Sequence, residues 1–352
     1  MMNNFSELII SWYNFNKRNL PWRKTNDPYK IWLSEIILQQ TQVIQGLPYY
    51  RSFTKSYPNV NKLAKAKEDE VLKLWQGLGY YSRARNLHYT AREIVKSYNG
   101  CFPDSFEALL KLKGIGRYTA AAIASIAFNK PHAVVDGNVY RLLSRYFGIK
   151  TAIDSVSGKR NFEILANKLL DKNQPGLFNQ AMMELGATVC KPKNPLCGTC
   201  PLYNTCFALD KGKINMLPVK GKKITVKNRW IVYLIIIDDK SILLRKRTEK
   251  DIWKNLYDFP CIESDTALNP EKILLDGRVK EFTGNKNFVI RKISKQKVHK
   301  LTHLNIHAAF IEIAVNKVSK PKGPYEKADI MKLSEFPYPQ LIAKYLESEF
   351  GI

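Results

Sequence analysis

From Phe5 to about Asp210 the apolar residues mostly recur every three or four positions, the spacing of one buried helical face. The pattern predicts helices over Asp69–Trp75, Ser105–Leu112, Tyr118–Phe128 and Asn138–Phe147. From Trp230 onward the grammar changes to short β-branched runs. Ile231–Asp238 and Ile242–Arg245 read as strands around the turn Asp238-Asp239-Lys240, with further strands at Asn287–Ile293 and Leu304–Val315. Tyr338–Phe350 reads as a closing helix. Between the halves, Leu217–Arg229 holds Lys220, Lys222, Lys223, Lys227 and Arg229 and no acidic residue, the composition of a linker able to follow a phosphate backbone. The expected organisation is an all-α domain over 1–215, a basic linker over 216–229 and an α+β domain over 230–352.

Composition adds a partner to this outline. A chain of 352 residues exceeds one ordinary domain, and 45% hydrophobic with 25% charged residues is the balance of a folded protein. Lys plus Arg number 56 against 31 Asp plus Glu, a formal charge of +25. Such an excess favours polyanions, because each phosphate contact releases condensed counterions; the alternative is a solvated basic surface. The N-terminal stretch carries Glu7, Lys17 and Arg18 without a long apolar core, so no secretory signal is expected. The longest apolar runs are too short for a bilayer, so no membrane partner is expected and the cytoplasm is the expected location. Thiols stay reduced there, and the cysteines need an explanation other than disulfides.

Cys190, Cys197, Cys200 and Cys206 are spaced C-x6-C-x2-C-x5-C. Four thiolates on one short loop can wrap a metal centre. Zinc sites of four cysteines usually show two Cys-x-x-Cys pairs, and here there is one, whereas a 4Fe–4S cube suits looser spacing. Cys101 and Cys261 lack such partners and read as ordinary buried thiols. Leu112-Lys-Gly-Ile-Gly-Arg-Tyr118 joins two helical stretches; Gly114 and Gly116 permit a tight reversal with amides exposed to an anion, or a plain helix connection. Glu35 lies in Trp32-Leu-Ser-Glu-Ile-Ile-Leu-Gln-Gln-Thr41, with Ile31, Trp32, Leu38 and Gln39 as helical neighbours. It reads either as a desolvated acid able to donate a proton or as a solvated acid near a helix start. Asp136 follows Ala133-Val134-Val135 and precedes a helix, so it reads as a helix cap or as an anion delivered into a cleft. One proton donor and one anion is the division of labour that glycoside cleavage needs.

Together these segments resemble the helix–hairpin–helix DNA glycosylase superfamily with a cluster loop, over roughly Leu20 to Cys206. The resemblance rests on Leu20-Pro-Trp-Arg23 with Glu35-Ile-Ile-Leu-Gln-Gln-Thr41, Gly77-Leu-Gly-Tyr-Tyr-Ser-Arg83, the hairpin with Val134-Val-Asp-Gly-Asn138, and the four cysteines. Within the superfamily the chain is most similar to the MutY-type adenine glycosylases. That resemblance implies a base-excision-repair hydrolase with a 4Fe–4S cluster, acting on adenine mispaired with 8-oxoguanine or guanine in double-stranded DNA. It further implies a monomer, nucleoid-associated when at work. By position it implies that Glu35 protonates adenine and Asp136 stabilises the sugar cation, with Tyr118 and Asn138 orienting carboxylates and water. Arg23 and Gln180 would contact the flipped base, and Gln40 and Tyr80 would enter the stack near its partner. The cluster loop would span 190–206, and Gly114 and Gly116 would meet a phosphate.

Lyase relatives similar to endonuclease III carry a lysine nucleophile where this chain has Tyr118, which cannot form a Schiff base. The rivals are therefore a bifunctional lyase on oxidised pyrimidines and a catalytically silent DNA-binding iron–sulfur protein. The C-terminal half, with Trp253-Lys-Asn-Leu-Tyr-Asp-Phe-Pro260, resembles the Nudix-like domain of MutY proteins that reads the oxidised base. It lacks an Arg-Glu-x-x-Glu-Glu box, so pyrophosphate hydrolysis is not expected. Where the family has Phe-Ser-His, this chain has Leu301-Thr302-His303, so the resemblance implies that Thr302 and His303 meet the lesion.

Overall fold

The computed structural model describes residues 4–221, 225–284, 287–319 and 323–352. The chain divides into two units, Met1–Lys65 with Asn86–Lys223 and Ala66–Arg85 with Ile224–Ile352.

The first unit is helical. Helix Phe5–Asn16 buries Phe5, Ile9 and Tyr13, spaced four apart on one face. They pack on Leu142, Leu143 and Tyr146 of helix Gly137–Phe147 and on Phe178, Ala181 and Leu185 of helix Pro175–Thr188. Each fully buried aromatic or leucine there contributes roughly 1.5–3 kcal/mol. Helix Arg117–Phe128 buries an alanine run, Ala120, Ala121, Ala122 and Ala124, whose small side chains let two other helices approach. Those helices are Pro28–Leu38 and Pro175–Thr188. The elements that carry Glu35 and Gln180 thus both rest on the helix that begins with Arg117-Tyr118. Gly186 brings helix Pro175–Thr188 against the start of Gly137–Phe147, since a Cβ there would lie 2.7 Å from Asn138 Cβ and 2.8 Å from its carbonyl oxygen. The helices expected at Asp69–Trp75, Ser105–Leu112 and Asn138–Phe147 stand at Glu68–Leu74, Phe106–Lys111 and Gly137–Phe147.

The second unit is built on a sheet of β1 (Lys227–Ile237), β2 (Ser241–Lys246), β3 (Tyr257–Asp258), β4 (Cys261–Ser264), β5 (Phe288–Ile293), β6 (Lys297–Lys300), β7 (Leu304–Val315) and β8 (Tyr325–Asp329). The order is β3-β2-β1-β7-β5, with β4 on β1, β6 on β7 and β8 on β2. β1 and β7 run parallel, Tyr233 opposite Phe310, and the other pairs are antiparallel. Ile231–Ile237 is buried throughout, as a strand covered on both faces must be. Ile273, Val279 and Phe282 cover one face. On the other, Tyr345 of helix Gln340–Phe350 stacks on Phe310 at 4.0 Å between centroids. Trp253, Leu256 and Phe259 of the recognised motif are core residues. β4, β6, β8 and helix Gly277–Thr283 escape sequence patterning because they are short and half exposed. β1 begins at Lys227, where pairing with Leu304 extends it. Lys222 and Lys223 lie outside the described residues. Among the described residues no helix is long and apolar enough to cross a membrane.

Candidate active site and cluster centre

Helix Pro28–Leu38 starts from Asp27, whose carboxylate accepts from Tyr29 N–H at 2.9 Å, and buries every residue from Ile31 to Ile37. Glu35 falls inside that run and is only 7% exposed. The reading of a solvated helix-start acid is therefore corrected: packing against helix Arg117–Phe128 covers a face that the sequence leaves open. Burial, with repulsion from Asp136 added and Arg23 opposing, pushes the Glu35 carboxyl up to about 8. The Tyr118 hydroxyl donates to its Oε2.

Asp136 is both a helix cap and a cleft residue. The extended run before it is held by amide side chains: Asn167 accepts from Ala133 N–H at 3.1 Å and the buried Asn179 from Val134 N–H at 2.9 Å. Asp136 then accepts from Asn138 N–H at 2.9 Å, Val139 N–H at 2.8 Å and Asn138 Nδ2 at 2.7 Å. Burial raises this carboxyl too, but those donors and Arg141 pull it back toward the ionised form, as does the helix N-terminus. Glu35, Tyr118, Asp136 and Asn138 line one cleft of about 150 Å³, together with Arg23 and Gln180. The six sequence candidates for base and bond are thus brought together.

Residues that the motifs did not single out organise this cleft. Glu184, fully buried, pairs with Arg18 and Arg23 at 2.6 Å each. Burial alone would raise it, but the hydrogen bonds from both arginines outweigh that and hold it at about 2. Arg23 also donates to the Arg18 carbonyl at 3.1 Å and lies over the Tyr13 ring. The Tyr13 hydroxyl donates to Gln180 Oε1 at 2.7 Å. Glu184 stands four residues after Gln180 on one helix, the single local signal that pointed to it.

Helix Arg117–Phe128 begins at Gly116 without a side-chain cap, so its first amides are free to meet an anion. Gly114 has φ +81, and a Cβ there would lie 2.7 Å from Asn86 Cβ. Gln40 is exposed and Tyr80 is 43% exposed; both have left-handed backbone, φ 55 and φ 47, a strain that concentrates at functional positions. In the second unit the Tyr80 hydroxyl and Thr302 Oγ1 are 2.8 Å apart. Tyr80, Trp253, Lys300, Thr302 and His303 border a cleft of about 700 Å³ there.

Cys190, Cys197, Cys200 and Cys206 face one apolar pocket in the first unit. Burial pushes Cys200 up to about 11, with the Leu202 backbone hydrogen bond opposing and repulsion from the neighbouring cysteines adding, so a thiolate there is favoured only beside a bound cationic centre. Among the described residues no group of three or more His, Cys, Asp or Glu is arranged to hold a single metal ion. Arg145, only 3% exposed, donates to Cys190 Sγ at 3.5 Å and to the carbonyls of Lys191, Pro192, Ile214 and Leu217. Arg141 donates to Asn138 Oδ1 at 2.9 Å, the Gly186 carbonyl at 2.6 Å and the Cys190 carbonyl at 2.6 Å. The cluster loop and Asn138 therefore share one guanidinium. Cys261 is buried as expected, whereas Cys101 is exposed, a correction: it follows the turn Asn99-Gly100 that ends helix Ser82–Tyr98 and leaves the packed region.

Comparison with known proteins agrees with this geometry. Residues 33–170 match the HhH-GPD superfamily of base excision DNA repair proteins, 190–206 the iron–sulfur binding domain of endonuclease III, and 232–348 the NUDIX domain. The chain is 37% identical over 317 residues to the adenine DNA glycosylase of Buchnera aphidicola subsp. Schizaphis graminum, covering 89% of this chain and 87% of the relative. It is 46% identical over 226 residues to that of Rattus norvegicus, covering 61% and 44%. A solved thermostable thymine-DNA glycosylase aligns at 32% identity and TM-score 0.55, over 59% of this chain and 95% of the other. A buried glutamate and a capped aspartate in one cleft, a four-cysteine pocket and 37% identity over 89% of the chain converge: the chain belongs to the adenine DNA glycosylase family.

Proposed function

We propose that this protein hydrolyses the N-glycosidic bond of adenine mispaired with 8-oxoguanine, or with guanine, in duplex DNA, acting as a monomer without lyase chemistry. One observation carries the reading: two carboxyls share one cleft, one buried and raised to about 8, the other held by three hydrogen-bond donors. Glu35, protonated up to about pH 8, donates to the leaving purine and makes it a neutral departing base. Asp136, stabilised as an anion by three hydrogen bonds, faces the cationic sugar left behind. Tyr118 holds the Glu35 carboxyl and Asn138 that of Asp136. Arg23 and Gln180, fixed by Glu184 and Tyr13, meet the base edge. Extrusion of the base from the stack costs roughly a few kcal/mol, which Gln40 and Tyr80 offset by entering the vacated space.

The 4Fe–4S cluster of Cys190, Cys197, Cys200 and Cys206 supplies a rigid fastening for its loop. Arg141 carries that rigidity to Asn138. Thr302, with His303 beside it, stands at the turn that meets the oxidised partner base. The cleft is lined by Arg18 and Arg23 and, among the described residues, by no lysine, which supports hydrolysis over Schiff-base chemistry.

The test uses duplexes with adenine opposite 8-oxoguanine, guanine or thymine, incubated with enzyme and then treated with alkali to break abasic sites. Strand breaks opposite 8-oxoguanine and guanine are expected. Breaks no more frequent than those of Glu35→Gln overturn the reading, and a strong borohydride-trapped adduct overturns the monofunctional part.

A further inference from the structure

The cleft that holds Glu35 and Asp136 shares a wall with another. Arg23, Ile126 and Gln180 border both the first, of about 150 Å³, and a neighbouring cleft of about 400 Å³ in the same unit. The neighbour lies where helix Arg117–Phe128 ends and helix Pro175–Thr188 begins. Around it stand four side-chain amides, Asn26, Asn129, Asn173 and Gln174, that take no part in the arrangement described above. The dividing wall is held by side-chain bonds. Gln180 is fixed through its Oε1 by the Tyr13 hydroxyl, and Arg23 by Glu184 and the Tyr13 ring. Bonds of this kind break and reform far faster than backbone rearranges.

Hydrolysis leaves the freed purine beneath the abasic sugar that has just released it. To retreat through the mouth, the base would have to wait until that sugar and its strand moved away. A purine is a flat ring with a donor and acceptor edge, and Asn and Gln amides pair with that edge in two-point fashion. We propose that the amide-lined second cleft is the exit vestibule for the freed adenine. The base passes when Gln180 swings from Tyr13, and the Asn and Gln amides receive it while the abasic strand stays bound. This rests on the glycosylase reading above.

Ala127→Trp and Asn173→Trp narrow this cleft from two different elements, and neither residue belongs to the arrangement around Glu35 and Asp136. Asn173 is exposed on a loop, so its replacement spares the core. Each variant, carrying its full visible iron–sulfur absorbance, is mixed in excess with a duplex whose target adenine is tritiated. Cleavage is followed by alkali, and label retained by the protein–DNA complex by rapid gel filtration. Cleavage at the wild-type rate is expected, with label release slowed at least about tenfold and restored when high salt strips the DNA. Release from both variants at the wild-type rate, with the duplex still bound, overturns the exit and leaves the glycosylase reading intact. Failure of the wild-type protein to cleave overturns both.

Discussion

Burial of Glu35 ties catalysis and stability to the same pH window. Its carboxyl keeps a proton up to about 8, against an ordinary glutamate value of 4.5. Between those values the folded chain holds a proton that the unfolded chain has released, so stability falls as pH rises through the window. Glu35→Gln removes that penalty. Its melting temperature should exceed that of the wild-type protein at about pH 9 and approach it near about pH 5, as thermal melts across pH would show. The same substitution should lower single-turnover cleavage by roughly 10²–10⁴, the share of a general acid. The wild-type rate should fall above about pH 8 as Glu35 loses its proton, and at acid pH as Asp136, itself raised above the ordinary aspartate range by burial, becomes neutral. A rate independent of pH from neutral to alkaline would contradict the assigned proton.

At the scale of elements, the site depends on how closely three helices meet. Gly186→Ala would drive a methyl into the backbone of Asn138, displacing the residue that holds Asp136. The overpacking should cost about 1–3 kcal/mol in denaturant melts, with cleavage lost by more than that destabilisation explains. Arg145 plays the corresponding part for the cluster loop. Arg145→Met strips one thiol and four carbonyls of their donor, and each buried carbonyl left unsatisfied costs about 1–3 kcal/mol. The loop should open, and visible iron–sulfur absorbance should decay faster under mild chelation than in the wild-type protein. Equal decay would show that the cysteines hold the cluster without it.

The whole molecule carries a formal charge of +25 and acts on DNA, so its binding should be governed by released counterions. For about six neutralised phosphates, affinity for a mismatch duplex should fall roughly a thousandfold between about 50 and 200 mM salt. Fluorescence anisotropy across that range checks it, and a flat response would leave the charge as a solvated surface. Two units share the chain unequally: the segment Ala66–Arg85, early in the sequence, belongs with the sheet. Lys246 reaches Asp69 at 3.0 Å within that unit, a pairing across 177 positions that no local pattern announces.

What the sequence determined by itself was everything encoded over one or two turns of chain. Helical and strand periods, the cysteine spacing, the cap at Asp136 and the turn at Gly114 all depend on neighbours a few residues away. The tertiary structure alone decided which polar groups left water. Glu35 had an apolar helical neighbourhood either way, and only the approach of the alanine-faced helix made it an acid that holds its proton. Glu184, Tyr13 and Arg145 act through partners 45 to 167 positions away. Desolvation depends on what packs against a face, and the period of a pattern reveals the face but not its neighbour.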